Sequence, residues 1–296
     1  MIYYTIIIPH KNIPNLLARC IDSIPDRKDI QIIVVDDNSD IEKKNFSDYT
    51  WIQRNNIEIF YTKEGKGAGY ARNYALKYAK GKWIIFADAD DFFSPKFNDI
   101  LNQSIDQNFD VIYFKTSSVD SETLLPSNRD ILFNTLIDEY LFHKIDSHKL
   151  GFGYVSPWGK IYSHELITKN HIRFEEVLTA NDLLFTVLIT LFQSKIKVTN
   201  DILYTITTRR GSLVDTLFFD EKKFDSRLSA ILRANQVLLE NGYGNYRYGV
   251  FKYIIKSYHF GIKKTLKTIK LIFKSSTPIF YGWKKHLSFS NKKISK

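Results

Sequence analysis

The sequence predicts an α/β protein built on a parallel sheet. Three observations carry that expectation: short runs of β-branched and aromatic residues, helical spacing between them, and polar clusters at their carboxyl ends. Residues 3–8 (YYTIII) read as a buried strand ended by Pro9. Residues 14–24 place apolar side chains at positions 16, 17, 20, 21 and 24, the spacing of a helix. A second buried strand follows at 30–35 (IQIIVV), closed by DDNSD at 36–40, and a third at 57–61 (IEIFY). After EGKGAG comes a helical segment over 69–80, stopped by Gly81, and then the strand 83–87 (WIIFA). Residues 111–114 (VIYF) suit a fifth strand, 182–193 (DLLFTVLITLFQ) a buried helix, and 202–208 (ILYTITT) a further strand-like run.

Composition narrows the classes. The 296 residues allow one large domain or two small ones, and the single cysteine, Cys20, rules out an intramolecular disulfide. The N-terminus lacks the basic and long apolar regions of a signal peptide, and no stretch has the length of a membrane-spanning helix. The expected location is the cytoplasm. The net charge of +10 is concentrated: residues 241–296 hold thirteen Lys and Arg and no Asp or Glu. The body, residues 1–240, has 29 basic and 32 acidic residues, which argues against a nucleic-acid binder. In the tail, Ile262, Leu266, Ile269 and Phe273 project within about 60° of one another, with Lys263, Lys267, Lys270 and Lys274 on an adjacent face. That pattern fits an interfacial helix able to hold the chain peripherally on the inner face of a membrane.

Ligands of open parallel sheets bind beyond the carboxyl ends of the strands. PHKN, DDNSD and DADD all fall there and should face one crevice. Asp88 and Asp90, two apart in extended chain, direct both carboxylates to one side and could hold a divalent cation against a diphosphate. An acidic turn before a helix capped by Ser94-Pro95 is the plainer alternative. DDNSD suits contact with a sugar or base, or a simple Asx turn. A nicotinamide dehydrogenase would need a glycine-rich loop after the first strand, which PHKN lacks. Asp182 opens the apolar helix either as a charge favoured by the helix dipole or as a general base. Arg209-Arg210-Gly211-Ser212 suits diphosphate binding or a solvated turn. The histidines show no zinc-ligand spacing.

Together, TIIIPHKN, IIVVDDNSD, GAGYARNYALKYAKGKWIIFADADDFFSP, SPWGKIYSHELI, F-E-E…N-D-L-L-F and RRGSL resemble the family 2 glycosyltransferases of the GT-A fold. The resemblance runs from about Thr5 to Ser212 and is densest over the first half. It implies a Rossmann-like, mixed central sheet flanked by helices, with a basic helical C-terminal extension. The domains would be 1–215, catalytic, with a nucleotide-sugar half at 1–100 and an acceptor half at 101–215, and 216–296, the extension. Pro9, Asp36, Asp37, Arg72, Asp88, Ala89, Arg210 and Ser212 would contact the nucleotide sugar, usually through uracil, with Gly69 and Asn73 nearby. Asp90 and Asp88 would hold Mn²⁺ or Mg²⁺, with Asp91 in support. Asp182 would be the catalytic base, and Trp158 and Lys160 would lie on the acceptor side.

The implied reaction is metal-dependent, inverting transfer from a nucleotide-diphosphate sugar to a glycan or lipid-linked glycan of cell-surface polysaccharide. A nucleotidyltransferase and a sugar-nucleotide-binding protein without transferase activity are the alternatives. Two departures stand out: Asn181 precedes Asp182 where the family commonly has glutamate, and His10 and Lys11 precede Asn12 in the first loop.

Overall fold

The computed structural model describes residues 1–104, 108–209, 219–275 and 277–278. In chain order the elements are β1 (Tyr4–His10), α1 (Pro14–Asp22), β2 (Ile30–Asp37), β3 (Ile57–Thr62), α2 (Ala68–Leu76), β4 (Trp83–Phe86) and β5 (Phe92–Phe93). There follow α3 (Phe97–Ser104), β6 (Val111–Asp120), α4 (Ile131–Leu141), α5 (Ser147–Gly153), β7 (Lys160–Ser163), α6 (His164–Lys169), α7 (Leu183–Phe192) and β8 (Ile196–Thr208). Helices α8 (Glu221–Glu240), α9 (Phe251–Ser257) and α10 (Ile262–Lys274) complete the described chain. Two compact units result: residues 1–176 with 185–210, and residues 177–184 with the described part of 211–296. No described helix is long and apolar enough to cross a membrane.

The first unit holds an eight-stranded sheet in the order β3-β2-β1-β4-β7-β6-β8-β5. Its first four strands are parallel, as the alternation of strands and helices requires. The purely parallel expectation fails beyond β4: β7 runs antiparallel to both β4 and β6, and β5 antiparallel to β8. The mixed sheet implied by the family resemblance is the one found. β2 is buried along its whole length, which is why its apolar run is continuous rather than alternating.

β1 does not end at Pro9. It continues to His10, paired with Asp36 of β2. Odd-numbered residues of β1 face β4, as the bond from Ala87 N–H to the Ile7 carbonyl shows, and β4 has ended by that point. The donor that proline lacks therefore breaks no ladder bond. Helix α2 is shorter than the 69–80 expected. Its carboxyl end yields to Lys80 and Gly81, whose N–H groups both donate to the Thr5 hydroxyl. A Cβ at position 81 would stand 2.5 Å from the Thr5 nitrogen, so this crossing demands glycine.

β5 follows β4 after only five residues, yet sits at the far edge of the sheet order. In a flat sheet that is four strand spacings, about 19 Å. The intervening segment contains a turn, with Asp91 N–H donating to the Asp88 carbonyl at 3.0 Å, and cannot stretch that far. The sheet must therefore curl, bringing β8 over the acidic segment. Beneath it, Phe174 and Phe185 stack with centroids 3.9 Å apart, and Phe86 meets both edge-on.

Candidate active site

Two acidic clusters stand at the carboxyl ends of neighbouring parallel strands. At the end of β2, Asp36 is fully buried and fully engaged. His10 Nδ1 lies 2.8 Å from Oδ2, which the Ser39 hydroxyl also approaches at 2.6 Å, and Ser39 N–H donates to Oδ1 at 2.9 Å. Ile13 N–H donates to His10 Nε2, which places the ring proton on Nδ1, facing Asp36. Burial pushes the Asp36 carboxyl up, but the hydrogen bonds from His10 and Ser39 outweigh it and hold the pKa below the ordinary value. Asp36 thus clamps the β1 and β2 loops together.

Asp37 is different. Oδ2 accepts from Gly67 N–H at 2.8 Å, and Lys11 Nζ stands 3.8 Å away. Oδ1 is buried without a hydrogen-bond partner among the described residues. A buried carboxylate oxygen in that condition is an acceptor waiting for an N–H. Gly67 makes the approach possible: its φ of +91° is a conformation that side-chain-bearing residues rarely adopt. Phe46, edge-on to His10 and roughly parallel to Tyr61, forms an aromatic wall beside the cluster.

The second cluster follows β4. Asp88 Oδ1 receives Arg72 Nη2 at 2.5 Å, and its N–H donates to the Tyr204 hydroxyl at 2.8 Å. Arg72 is itself buried on α2, its guanidinium over the Phe174 ring. Ala89 is buried between the acids. Asp90 is tied by its carbonyl to Arg19 Nη2 and the Thr207 hydroxyl, while its carboxylate meets Arg209 Nε at 3.1 Å. Asp91 is buried and accepts from Thr207 N–H. Burial first, then the charge of Asp88, raises the Asp90 pKa; burial, then Asp90 and Asp88, raises that of Asp91 well above the ordinary carboxylate range.

This second tip therefore favours added positive charge, which is the property a divalent cation would exploit. Among the described residues no three His, Cys, Asp or Glu side chains group as a cation cage. Asp88 and Asp90 fit an ion only in the manner of magnesium sites completed by substrate phosphates.

The remaining expected residues take several positions. Pro9 lies in β1 as described. Gly69 and Arg72 are buried on α2, and Asn73 clamps residue 174, donating to its carbonyl and accepting from its N–H at 2.9 Å each. Trp158 and Lys160 are buried. Trp158 stacks on Tyr204, the residue that holds Asp88, and the Lys160 ammonium donates to the Tyr154 and Ser156 carbonyls at 2.6 and 2.7 Å. Asp182 belongs to the second unit, half-buried just before α7, and its charge helps to raise the pKa of Tyr248, which burial dominates. Arg210 and Ser212 lie outside the described residues. Sequence reasoning missed Arg19, Ser39, Tyr204 and Thr207. Each reaches the acids through a bond spanning from three to more than a hundred residues; Ser39 lies within DDNSD but was given no role there, and Arg19, Tyr204 and Thr207 sit in no recognisable motif.

Residues 5–167 match glycosyl transferase family 2. The chain belongs to that family. Its relatives include the cholesterol galactosyltransferase of Borreliella burgdorferi, 27% identical over 64% of this chain and 55% of that protein. Glycosyltransferase GlyA of Streptococcus pneumoniae is 25% identical over 81% of this chain and 35% of its own length. The chain thus spans about half of the first relative and about a third of the second. The crystal structure of S. aureus TarS 1–349 in complex with UDP-GlcNAc aligns with a TM-score of 0.63 at 20% identity, over 93% of this chain and 81% of that one. At that identity the likeness concerns the fold, which is the curled mixed sheet of this family 2 chain.

Proposed function

We propose that this family 2 chain transfers a sugar, with inversion, from a UDP-sugar to a hydroxyl of a glycan or lipid-linked glycan in cell-surface polysaccharide synthesis. The observation that carries this reading is the pairing of two unlike acidic tips. Strands β2 and β4 flank β1, so their ends stand two spacings apart, about 10 Å, a distance that a nucleoside diphosphate can bridge. The Asp37 oxygen without a partner among the described residues suits a base N–H, and the acidic, cation-poor tip at Asp88 and Asp90 suits a diphosphate with its counter-ion. The UDP-GlcNAc bound to S. aureus TarS supports the donor class, and the cholesterol named for the Borreliella relative supports acceptors that carry lipid.

In this reading Asp36 and His10 do no chemistry; they hold the loops that shape the base pocket. Arg72 aims Asp88, and Tyr204, backed by Trp158, fixes its backbone. Mn²⁺ or Mg²⁺, held by Asp90 and Asp88, would supply positive charge to the departing diphosphate. Asp182 takes the proton from the acceptor hydroxyl as it attacks the anomeric carbon from the face opposite the leaving group. Trp158 and Lys160 serve the acceptor side as supports beneath the surface, and Arg210 and Ser212 contact the donor. In this proposal residues 1–215 form the catalytic part, and residues 216–296 form a separate extension.

The test is a thermal-shift panel of UDP-, GDP- and TDP-sugars with and without Mn²⁺, followed by transfer assays. A UDP-sugar shift that grows with Mn²⁺ in the parent, and loses that growth in Asp90→Asn, is expected. Asp182→Asn should keep the donor shift while turnover falls. An Asp182→Asn variant that turns over at the parent rate removes the residue from its role as base.

A further inference from the structure

Helix α10 buries a polar edge and turns its apolar stripe outward. Lys264, Thr268 and Ile272, at intervals of four, form the buried face. The Lys264 ammonium is 2.6 Å from both carboxylate oxygens of Asp225 and 2.9 Å from Glu221, both on α8. Opposite this anchor, Ile262 and Leu266 are each 61% exposed and Phe273 is 69% exposed. A helix that only completes a soluble fold packs the other way, with its apolar stripe against the neighbour and its lysines in water. Here three ion-pair contacts fix the reverse orientation.

What covers the stripe is indicated by charge. Lys263, Lys267, Lys270 and Lys274 are exposed on the arc beside it, and residues 241–296 contain no acidic side chain. A second copy docking stripe to stripe would bring two lysine arcs together. An anionic bilayer matches both features at once: its phosphates meet the lysines, and its headgroup–acyl boundary receives the apolar side chains. We propose that the Ile262–Leu266–Phe273 stripe of α10 docks on an anionic lipid surface. The sequence pattern marks an amphipathic helix; the packing decides that its apolar side is the outer one. This inference stands independently of the sugar-transfer reading, because vesicle binding is measured without donor or acceptor.

The experiment is co-sedimentation of the full chain with vesicles of equal parts phosphatidylglycerol and phosphatidylcholine, and with phosphatidylcholine alone. Binding to the anionic vesicles only, weakened by salt, is expected. The double substitution Leu266→Glu with Phe273→Glu should lower partitioning on the order of a hundredfold, as should Lys263→Gln with Lys267→Gln and Lys270→Gln. All five positions are exposed, so helicity by circular dichroism should match the parent. The proposal is overturned if anionic vesicles do not bind, or if the Leu266→Glu, Phe273→Glu chain binds like the parent. It is equally overturned if light scattering shows self-association that this variant abolishes, or if soluble polyglutamate binds the parent more tightly than the vesicles do.

Discussion

The ends of β2 and β4 look alike in sequence: each is an apolar run followed by adjacent aspartates. Their physics is opposite. At the β2 end the protein supplies its own donors, so the Asp36 pKa falls despite complete burial. At the β4 end burial and mutual repulsion win, and Asp90 and Asp91 rise even though Arg209 and Thr207 contact them. Asp36 is a finished structural joint beside an Asp37 that still has a buried acceptor open among the described residues, and the β4 tip is left short of positive charge. Adjacent aspartates therefore mark a strand end without saying what they do; the donors around them do that.

The largest break in this comparison should come from the short-handed tip. Asp90→Asn is expected to lower transfer on the order of a hundred- to a thousandfold, measured as initial rate at saturating donor, while leaving the melting temperature without Mn²⁺ unchanged or higher. At the satisfied Asp36 the reverse is expected. Asp36→Ala leaves His10 and Ser39 without their acceptor in a buried place, and should cost about 3 kcal/mol in urea denaturation.

A pH series sharpens the contrast through its sign. Asp36 has a lowered folded pKa, so its contribution is complete above the ordinary carboxylate range and is lost as pH falls below it. Asp91 has a raised folded pKa, so it costs stability as pH climbs from the ordinary range through its own value. Urea midpoints should thus fall less steeply in acid for Asp36→Asn than for the parent. For Asp91→Asn the loss on the alkaline side should shrink, since an amide still accepts from Thr207 N–H. The smallest effect is expected at Lys11, half-exposed and 3.8 Å from Asp37. Lys11→Ala should change stability by no more than about 0.5 kcal/mol, so that any larger loss of UDP-sugar shift reports on the donor itself.

Much of the first half was legible in the sequence because its signals are local. Continuous apolar runs such as IQIIVV require strands buried on both faces, and the polar clusters had to follow at their ends. β5 and β7 were not legible: one has two residues and the other four, and their pairing depends on the curl of the sheet. The segment around Trp158 and Lys160 was legible as a motif but not as a burial pattern. Lys160 sits inside because carbonyls of the Tyr154–Ser156 turn replace its water, an arrangement that composition does not announce.

By itself the sequence determined the alternation of strands and helices, the placing of acids at strand ends, and the separation of a near-neutral body from a basic tail. These follow from side-chain periodicity and charge, which act over a few residues. Tertiary structure alone decided which aspartate is satisfied and which is strained, and which face of α10 meets the solvent. Those outcomes depend on donors and counter-charges delivered from distant parts of the chain, and on burial that exists only once the sheet has closed over the acids.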